Sequence, residues 1–185
     1  MKRDVLIICA CGGRNGFTYA MCSEAGNILI EKGWTPQVVY PMSMDIGHCT
    51  GCGSCKDFGE CIIDDEMKII YEAFEEADLV LFITPIHFSG ISSVLKTVID
   101  RFQTEWFAPG QGPRYMAAMM SGGDVSPEFR GAMYVFKALA ITTGSEWIGD
   151  LRIIDTDRKK PSDIKEESEK FVISLIADIK ERELK

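Results

Sequence analysis

The sequence has no excess of basic residues, and this shortage bears first on the partners of the chain. It contains 20 lysines and arginines against 28 aspartates and glutamates, a formal net charge of −8 at pH 7. Its one basic run, Arg158-Lys159-Lys160, is short and is followed by Pro161. Proteins that bind nucleic acids neutralise phosphates with clustered basic side chains. We therefore expect no nucleic acid among the partners of this chain.

Long hydrophobic runs are missing as well. No stretch comes near the roughly 20 apolar residues that a membrane-spanning helix requires. The cysteines number seven, an odd count, and the N-terminal pattern fits a first strand better than an export signal. These features predict reduced thiols or metal ligands rather than a disulfide framework. We expect no membrane association, a cytoplasmic protein, and a single domain over residues 1–185.

Apolar runs alternate with helical patterns along the chain. The apolar runs predict five strands, at residues 5–10, 37–40, 79–84, 116–121 and 147–153. The patterns between and after them predict five helices, at residues 17–32, 65–76, 91–104, 127–143 and 162–185. Strands that alternate with helices form a parallel sheet that is covered on both faces. The predicted fold is α/β, a flavodoxin-like doubly wound sheet of five parallel strands in the order 2-1-3-4-5.

In such a sheet the ligand crevice lies beyond the carboxyl ends of the strands. The loop after the first strand, residues 11–18, is glycine-rich and opens a helix, so its N–H groups can hold a phosphate. A plain structural turn is the alternative for this loop. The chain lacks both the Walker lysine motif and G-x-G-x-x-G, which argues against a nucleoside triphosphate or a conventional dinucleotide site.

Two further loops are expected at the same crevice. Pro85 is predicted to end the third strand, which places the rings of His87 and Phe88 where a flat ligand needs walls. The alternative is a Phe88 that packs in the core beside a solvated His87. After the fourth strand, residues 121–124 are small enough to let a ligand approach the backbone.

Four cysteines stand close together in a predicted insertion loop at about residues 42–64. Cys49, Cys52, Cys55 and Cys61 have the spacing C-x2-C-x2-C-x5-C. This compact spacing is typical of the ligands of a [4Fe–4S] cluster. Three alternatives stay open: a structural zinc site, redox-active thiols or disulfides, and a loop whose thiols hold no metal.

For several other cysteines and charged residues, we predict structural rather than catalytic roles. Cys9 and Cys22 are predicted to be buried core thiols. Residues 64–65, two aspartates before a helix, are predicted to cap its N–H groups. Asp100 and Arg101, at the end of another helix, are predicted to form an ion pair.

These loops resemble the flavin site of the NAD(P)H-dependent FMN reductase family, in the flavodoxin superfamily. More narrowly, the chain resembles the iron–sulfur flavoproteins. The motifs that carry the resemblance are the cysteine run with residues 63–67, and the run ADLVLFITPIHFSGISSVLKTVIDR at residues 77–101. The resemblance implies FMN contacts from Cys11, Gly13, Arg14, Gly16, Phe17, Thr18, Pro85, Ile86, His87, Phe88, Ser89, Gly90, Ser121, Gly122 and Gly123. It implies cluster ligands at Cys49, Cys52, Cys55 and Cys61.

The sequence departs from the family in the first two loops. Cys11-Gly12-Gly13 stand where the family usually has Ser-Pro-Arg/Lys, and Arg14 comes one step late. His87 replaces the usual tyrosine. A phosphate site that is built from backbone N–H groups does not depend on these side chains.

The resemblance implies an oxidoreductase that uses FMN and a [4Fe–4S] cluster. Its electrons would pass from a ferredoxin-like protein or NAD(P)H to a quinone or another small oxidant. One alternative is a cluster-free NAD(P)H-dependent FMN or quinone reductase, and another is a non-enzymatic electron carrier or thiol redox sensor. The resemblance also implies a homodimer or homotetramer, and Trp106 and Phe107, beside the loop at residues 107–114, are the expected interface anchors.

Overall fold

The computed structural model of the protein describes residues 3–107 and 112–184. Within these residues the strands are β1 (Asp4–Cys9), β2 (Thr35–Val39), β3 (Leu79–His87), β4 (Gly90–Ile91), β5 (Tyr115–Ser121) and β6 (Glu146–Ile153). The α-helices are α1 (Phe17–Glu31), α2 (Ser54–Phe58), α3 (Met67–Glu76), α4 (Ser93–Arg101), α5 (Gln103–Phe107), α6 (Arg130–Thr143) and α7 (Lys165–Glu183). Short 3-10 helices lie at Pro41–Ser43 and Pro161–Ile164. That residues 1–185 form one domain stays a prediction.

The sheet confirms the predicted α/β class and its parallel strands. Five parallel strands lie in the spatial order β2-β1-β3-β5-β6, which is the predicted path. The predicted number of strands is wrong, because β4 adds a sixth strand that pairs antiparallel with β3. A strand of two residues is too short to show an apolar period in the sequence.

Pro85 does not end the third strand. β3 continues to His87, and Pro85 pairs with Ser121 of β5. The pairing of β1 with β3 stops at Ile83, so the missing N–H of the proline does not interrupt that ladder. The strand therefore carries its last residues beyond the sheet edge and into the crevice.

The predicted helix at residues 91–104 is divided into α4 and α5. Ile91 belongs to β4, and the Ser92 side chain accepts a hydrogen bond from the Leu95 N–H to begin α4. Phe102 separates the two helices and packs on Phe74, with 4.4 Å between ring centroids. The apolar spacing continues from α4 into α5 without interruption. It therefore does not reveal the break between the two helices.

Both faces of the central strands are buried. In β1, Leu6 and Ile8 contact one apolar cluster, to which α3, α4 and α6 contribute. Ile7 and Cys9 contact the opposite cluster, which α1 and α7 cover. Such two-sided burial is typical of a parallel sheet. None of the helices in the described residues is both long and apolar enough to span a membrane.

Gly131, the second residue of α6, packs against the turn between β3 and β4. A Cβ atom at this position would lie 2.4 Å from the Ser89 carbonyl oxygen. We expect Gly131→Ala to lower the free energy of unfolding by about 1–3 kcal/mol, because backbone must move to remove the clash. Gly26→Ala in α1 is the control, since its Cβ would meet no atom within 4 Å. It should be neutral or stabilising by up to about 1 kcal/mol in the same urea titration.

Candidate functional site

The structure brings the three predicted loops together at one edge of the sheet. β1, β3 and β5 are adjacent and parallel. Cys9 pairs with Ile83, and Ile83 pairs with Met119, so the three strands end side by side. The loops that follow them therefore border one crevice, as the rule for doubly wound sheets requires.

The first loop leads into a helix whose N-terminus has no side-chain cap. Residues 12–16 are exposed, and α1 begins after Gly16 without a capping hydrogen bond and without an acidic residue in its first turn. Its first N–H groups therefore have no intrahelical partner, and the positive end of the helix dipole faces the loop. Arg14 adds a positive charge in the same exposed segment. The arrangement fits the phosphate group of FMN.

Cys11 lies at the base of this loop, in a group of three buried thiols. Cys9, Cys11 and Cys22 are 0%, 8% and 1% exposed, so the prediction of core thiols is confirmed for Cys9 and Cys22. Hydrogen bonding with Cys22, together with burial, raises the pKa of the Cys9 thiol. Cys9 therefore lacks the lowered pKa of a reactive thiol and packs in the core.

The second loop is a strained turn that presents two rings to solvent. His87 pairs with Gly90, and between them Phe88 (φ 49°) and Ser89 (φ 64°) both have left-handed backbone. Two such residues in sequence are typical of a type I′ hairpin, and each costs about 1–3 kcal/mol when it is not glycine. The Phe88 ring is fully exposed, so the alternative of a core-packing Phe88 is wrong.

The third loop contacts the first one directly. The buried hydroxyl groups of Thr18 and Ser121 lie 3.4 Å apart and join the start of α1 to the end of β5. Gly122 donates its N–H to the Ile153 carbonyl oxygen at 2.8 Å. Asp157 packs its carboxylate against Gly123, where a Cβ would lie 2.7 Å from it. Asp157 was not among the predicted site residues, because the loop after β6 shows no sequence pattern that would place it beside Gly123.

A second site lies in the cysteine loop. Its cavity of about 290 Å³ is lined by all four clustered cysteines, Cys49, Cys52, Cys55 and Cys61, and by residues that include Arg101, Thr104 and Phe107. Helix α2, which was not predicted, carries Cys55. Hydrogen bonding with Ser54 lowers the pKa of the exposed Cys52 thiol, which favours the thiolate form that binds metal.

The four thiols share one cavity but are not drawn together around one point. In residues 3–107 and 112–184, no three Cys, His, Asp or Glu side chains form a group that could hold a metal ion. The donor atoms are nevertheless of the type that an iron–sulfur cluster requires. They match the cluster in donor type and line a single cavity, but their present positions do not bring three of them to one metal.

Arg101 fastens the cysteine loop to the end of α4. Its side chain is 1% exposed, and its two outer nitrogens bind the Asp65 carboxylate at 2.6 and 3.1 Å. The same nitrogens donate to the carbonyl oxygens of Gly47 at 2.8 Å and Ile63 at 3.4 Å. Burial would raise the pKa of Asp65, but hydrogen bonds from Arg101 and from the N–H groups of Gly47 and Met67 outweigh it and lower that pKa.

The ion pair predicted between Asp100 and Arg101 is wrong. Asp100 pairs instead with Lys96, one helical turn earlier, at 2.5 Å. Consecutive residues of a helix point in different directions, whereas residues four apart are neighbours. The predicted cap is confirmed for Asp65, whose carboxylate accepts the Met67 N–H at 3.0 Å.

Of the expected interface anchors, Phe107 lines the cysteine cavity, and Trp106 lines a separate groove between α4 and α6. Trp106 is 64% exposed and Phe107 is 43% exposed, so both rings are available to a partner. Residues 108–111 of the adjoining loop lie outside the described residues. The homodimer or homotetramer stays a prediction.

The family model described as NADPH-dependent FMN reductase matches residues 3–149. The chain belongs to this family. The predicted membership is thereby confirmed, and it supports both FMN as the cofactor and an oxidoreductase as the class of protein.

Individual relatives show a narrower similarity. An iron–sulfur flavoprotein of Methanocaldococcus jannaschii is 33% identical over 86 residues, which cover 46% of this chain and 45% of the relative. One from Archaeoglobus fulgidus is 35% identical over 81 residues, covering 44% of this chain and 37% of the relative. The chain thus spans less than half the length of these relatives.

Solved structures agree in fold. A NAD(P)H:quinone oxidoreductase from Methanothermobacter marburgensis has a TM-score of 0.72 at 16% identity, covering 93% of this chain and 94% of that one. An FMN-dependent NADH-azoreductase from Bacillus anthracis, in complex with FMN, has a TM-score of 0.68 at 16% identity. It covers 95% of this chain and 99% of that one. At such identities the likeness shows the flavodoxin-like fold alone.

Removing Arg101 should destabilise the protein strongly. Arg101→Met leaves the Asp65 carboxylate buried without its cation, and breaking a buried pair in this way costs about 3–5 kcal/mol. Lys96→Met is the matched control, because the exposed Lys96–Asp100 pair contributes roughly 0.5 kcal/mol or less. Urea unfolding at pH 7 measures both variants, and equal losses would contradict the role of Arg101.

The difference in unfolding free energy between wild type and Arg101→Met is expected to depend on pH. The folded-state pKa of Asp65 is lowered, so its contribution is complete above the unfolded pKa of about 3.9 and disappears as pH falls through the folded value. The difference in unfolding free energy between wild type and Arg101→Met should therefore be full at pH 7 and narrow as pH falls, because the Asp65 carboxylate of the variant, buried without its cation, takes up a proton at a higher pH than that of the wild type. A gap that is unchanged at pH 3 would contradict this assignment.

Proposed function

We propose that the protein is an FMN-dependent reductase that takes electrons from NAD(P)H and delivers them to a quinone or another small oxidant. The observation that carries the proposal is the crevice itself, where three loops meet at the uncapped N-terminus of α1. Membership of the FMN reductase family supports it. So does a 27% identical NAD(P)H dehydrogenase [quinone] 1 of Cavia porcellus, which covers 82% of this chain and 60% of the relative.

The first loop would hold the FMN phosphate. The N–H groups of residues 12–16 and of the first turn of α1 are the donors, with Cys11, Gly13, Arg14, Gly16, Phe17 and Thr18 in contact. The positive end of the helix dipole favours a doubly charged phosphate at this point. The contact between the Thr18 and Ser121 hydroxyl groups fixes the start of the helix relative to the third loop.

The second and third loops would hold the flavin ring. Pro85, Ile86, His87, Phe88, Ser89 and Gly90 form one side, and Ser121, Gly122 and Gly123 form the other. A rigid type I′ turn keeps its backbone groups in place, so little ordering is needed when a flat ligand arrives. When bound, FMN supplies the capacity to accept a hydride and to release electrons singly or in pairs. The protein contributes the binding site, the orientation and the exclusion of water.

We also propose that Cys49, Cys52, Cys55 and Cys61 hold a [4Fe–4S] cluster. Three observations support it: their spacing, the single cavity that they line, and the similarity to iron–sulfur flavoproteins. A one-electron donor such as a ferredoxin would then be a second partner. The rival candidate is the same reductase without a cluster, because the thiols do not converge on one point in the described residues.

A negative charge introduced into the first loop tests whether the FMN phosphate binds there. Gly13→Asp places a carboxylate near the expected phosphate, and Gly13→Asn is the uncharged control of the same shape. A Cβ at Gly13 meets no atom within 4 Å, so both variants should fold. Like charges about 4 Å apart repel by about 4 kcal/mol at an effective dielectric of 20. We expect FMN to bind Gly13→Asp at least about tenfold more weakly than Gly13→Asn, by fluorescence titration of apoprotein.

Riboflavin and a turnover assay complete this experiment. Riboflavin has no phosphate and should bind both variants equally. NADPH-dependent reduction of menadione at limiting FMN should fall in Gly13→Asp alone. If Gly13→Asp and Gly13→Asn bind FMN with equal affinity, the FMN phosphate does not bind at this loop. A wild-type protein that neither binds FMN nor reduces quinone would overturn the proposed function.

Iron analysis tests the cluster. Protein purified and reconstituted without oxygen should contain about four irons and four acid-labile sulfides per chain. Serine at any one of the four cysteine positions should remove most of this iron. Cys22→Ala, which changes a buried thiol outside the cavity, should retain it. FMN without iron after reconstitution would favour the cluster-free reductase.

A further inference from the structure

A groove runs along one edge of the sheet, between α6 and β6, outside the crevice and the cysteine cavity. Its volume is about 540 Å³, which is within the range of pockets that hold small ligands. One wall is a single face of α6, and the other is β6, the strand that ends the sheet. The lining includes three cations, Arg130, Lys137 and Arg152, and two aromatic rings, Tyr134 and Trp147. Such a lining suits a ligand that has a flat ring and negative charge.

Two of the three cations are balanced by carboxylates but keep donors for a further anion. Arg130 binds Glu128 through Nε and one outer nitrogen, at 2.9 and 2.8 Å. Arg152 donates Nε to Asp150 at 2.6 Å, and its two outer nitrogens have no hydrogen-bond partner among the described residues. A guanidinium has five N–H donors, so one carboxylate does not occupy it fully.

Lys137 gives the groove its unbalanced positive charge. It is exposed, and no carboxylate in residues 3–107 and 112–184 forms an ion pair with it. It lies on the same face of α6 as Arg130, about 10 Å further along the helix. The chain as a whole carries a net charge of −8. An unbalanced cation in a groove of so acidic a chain favours an anionic ligand.

The groove begins beside the crevice proposed for the flavin. At the end where α6 begins, Gly131 packs against the Ser89 carbonyl oxygen of the second loop. On the opposite wall, the residue after Arg152 accepts a hydrogen bond from the N–H of Gly122 in the third loop, at 2.8 Å. A long ligand whose reacting end lies in the crevice can therefore continue into the groove.

A dinucleotide fits this groove better than an acidic protein does. A protein interface covers roughly 800 Å² on each partner, and over such an area the excess carboxylates of this chain would repel an acidic partner. A dinucleotide needs only the groove. Its nicotinamide half reacts at the flavin, while its adenosine half supplies a flat ring and, in NADPH, a 2′-phosphate.

We propose that the groove binds the adenosine half of NADPH, with Lys137 and the outer nitrogens of Arg152 on the 2′-phosphate. The Tyr134 ring, which is 73% exposed, is the surface for the adenine. This inference rests on the proposed NAD(P)H-dependent reductase and makes it selective for NADPH. NADH has no 2′-phosphate, so it gains nothing from these two cations. Ammonium and guanidinium groups are the usual phosphate ligands of proteins.

The test compares NADPH with NADH as reductants of menadione by the FMN-loaded protein. Lys137→Gln and Arg152→Gln each remove one proposed phosphate contact, and both side chains are exposed, so the variants should fold. In each we expect the ratio of kcat/KM for NADPH to that for NADH to fall about tenfold, the usual effect of one hydrogen bond to a charged group. Lys32→Gln, at the opposite end of α1 from the crevice, removes an exposed charge and should keep the wild-type ratio.

Binding of a nucleotide fragment gives a second measurement, independent of turnover. By calorimetry, adenosine 2′,5′-bisphosphate should bind the wild type about tenfold more tightly than AMP, and Lys137→Gln should narrow this difference. Equal binding of the two fragments to the wild type would overturn the inference.

The kinetic outcomes separate this inference from the proposed function. A ratio that is unchanged in both Lys137→Gln and Arg152→Gln, with both reductants active, would overturn the NADPH site and leave the reductase standing. An equal loss with NADPH and NADH would also overturn it, because the 2′-phosphate would not be the group that is bound. A wild-type protein that oxidises neither reductant would overturn the proposed function itself.

Discussion

The arrangement of the cysteine cavity depends on one buried interaction, the ion pair between Arg101 and Asp65. Buried pairs contribute little net stability, because desolvation offsets most of their attraction. The main contribution of this pair is to fix the position of the cysteine loop relative to α4. The planar guanidinium binds the carboxylate at two points and the loop backbone at Gly47 and Ile63, so both ends of the cysteine loop are held by one side chain. Without it, nothing in the spacing of the cysteines would fix where their thiols lie relative to the sheet.

Helix α4 connects Arg101 with the crevice that is proposed to bind the flavin. At its start, the Ser92 hydroxyl and N–H contact the Thr84 hydroxyl of β3 at 3.3 and 3.2 Å, just before the turn that presents Phe88. At its end stands Arg101. The nine residues of α4, Ser93–Arg101, form a rod of about 14 Å at a rise of 1.5 Å per residue. Both ends of the rod are fixed by buried polar contacts, so the crevice and the cavity keep one relative position.

Much of the fold could be predicted because the central strands are covered on both faces and read as uninterrupted apolar runs. The crevice loops followed from the rule that parallel strands end together. Side-chain partners could not be derived in this way. Asp65 and Arg101 are 36 positions apart, and their pairing depends on how α4 docks. One signal was present: Leu95, Val98 and Arg101 share the buried face of α4, and a cation on such a face requires an anion. The outward Phe88 ring had no such signal, because its direction is set by two left-handed residues that no pattern predicts.

The two sites are built from different parts of the chain, and this decides how each responds to sequence change. The crevice proposed for the flavin consists mainly of backbone N–H groups, a helix end and close glycine contacts, which the fold supplies whatever the side chains are. Cys11-Gly12-Gly13 can therefore stand where relatives have other residues without removing the donors. The fold persists in the same way at 16% identity. The cysteine cavity is lined by side chains, and the proposed cluster would require each of the four thiols together with the guanidinium that holds their loop. Substitutions of the kind that the crevice tolerates would, in the cavity, remove a thiol or the side chain that holds the cysteine loop in place.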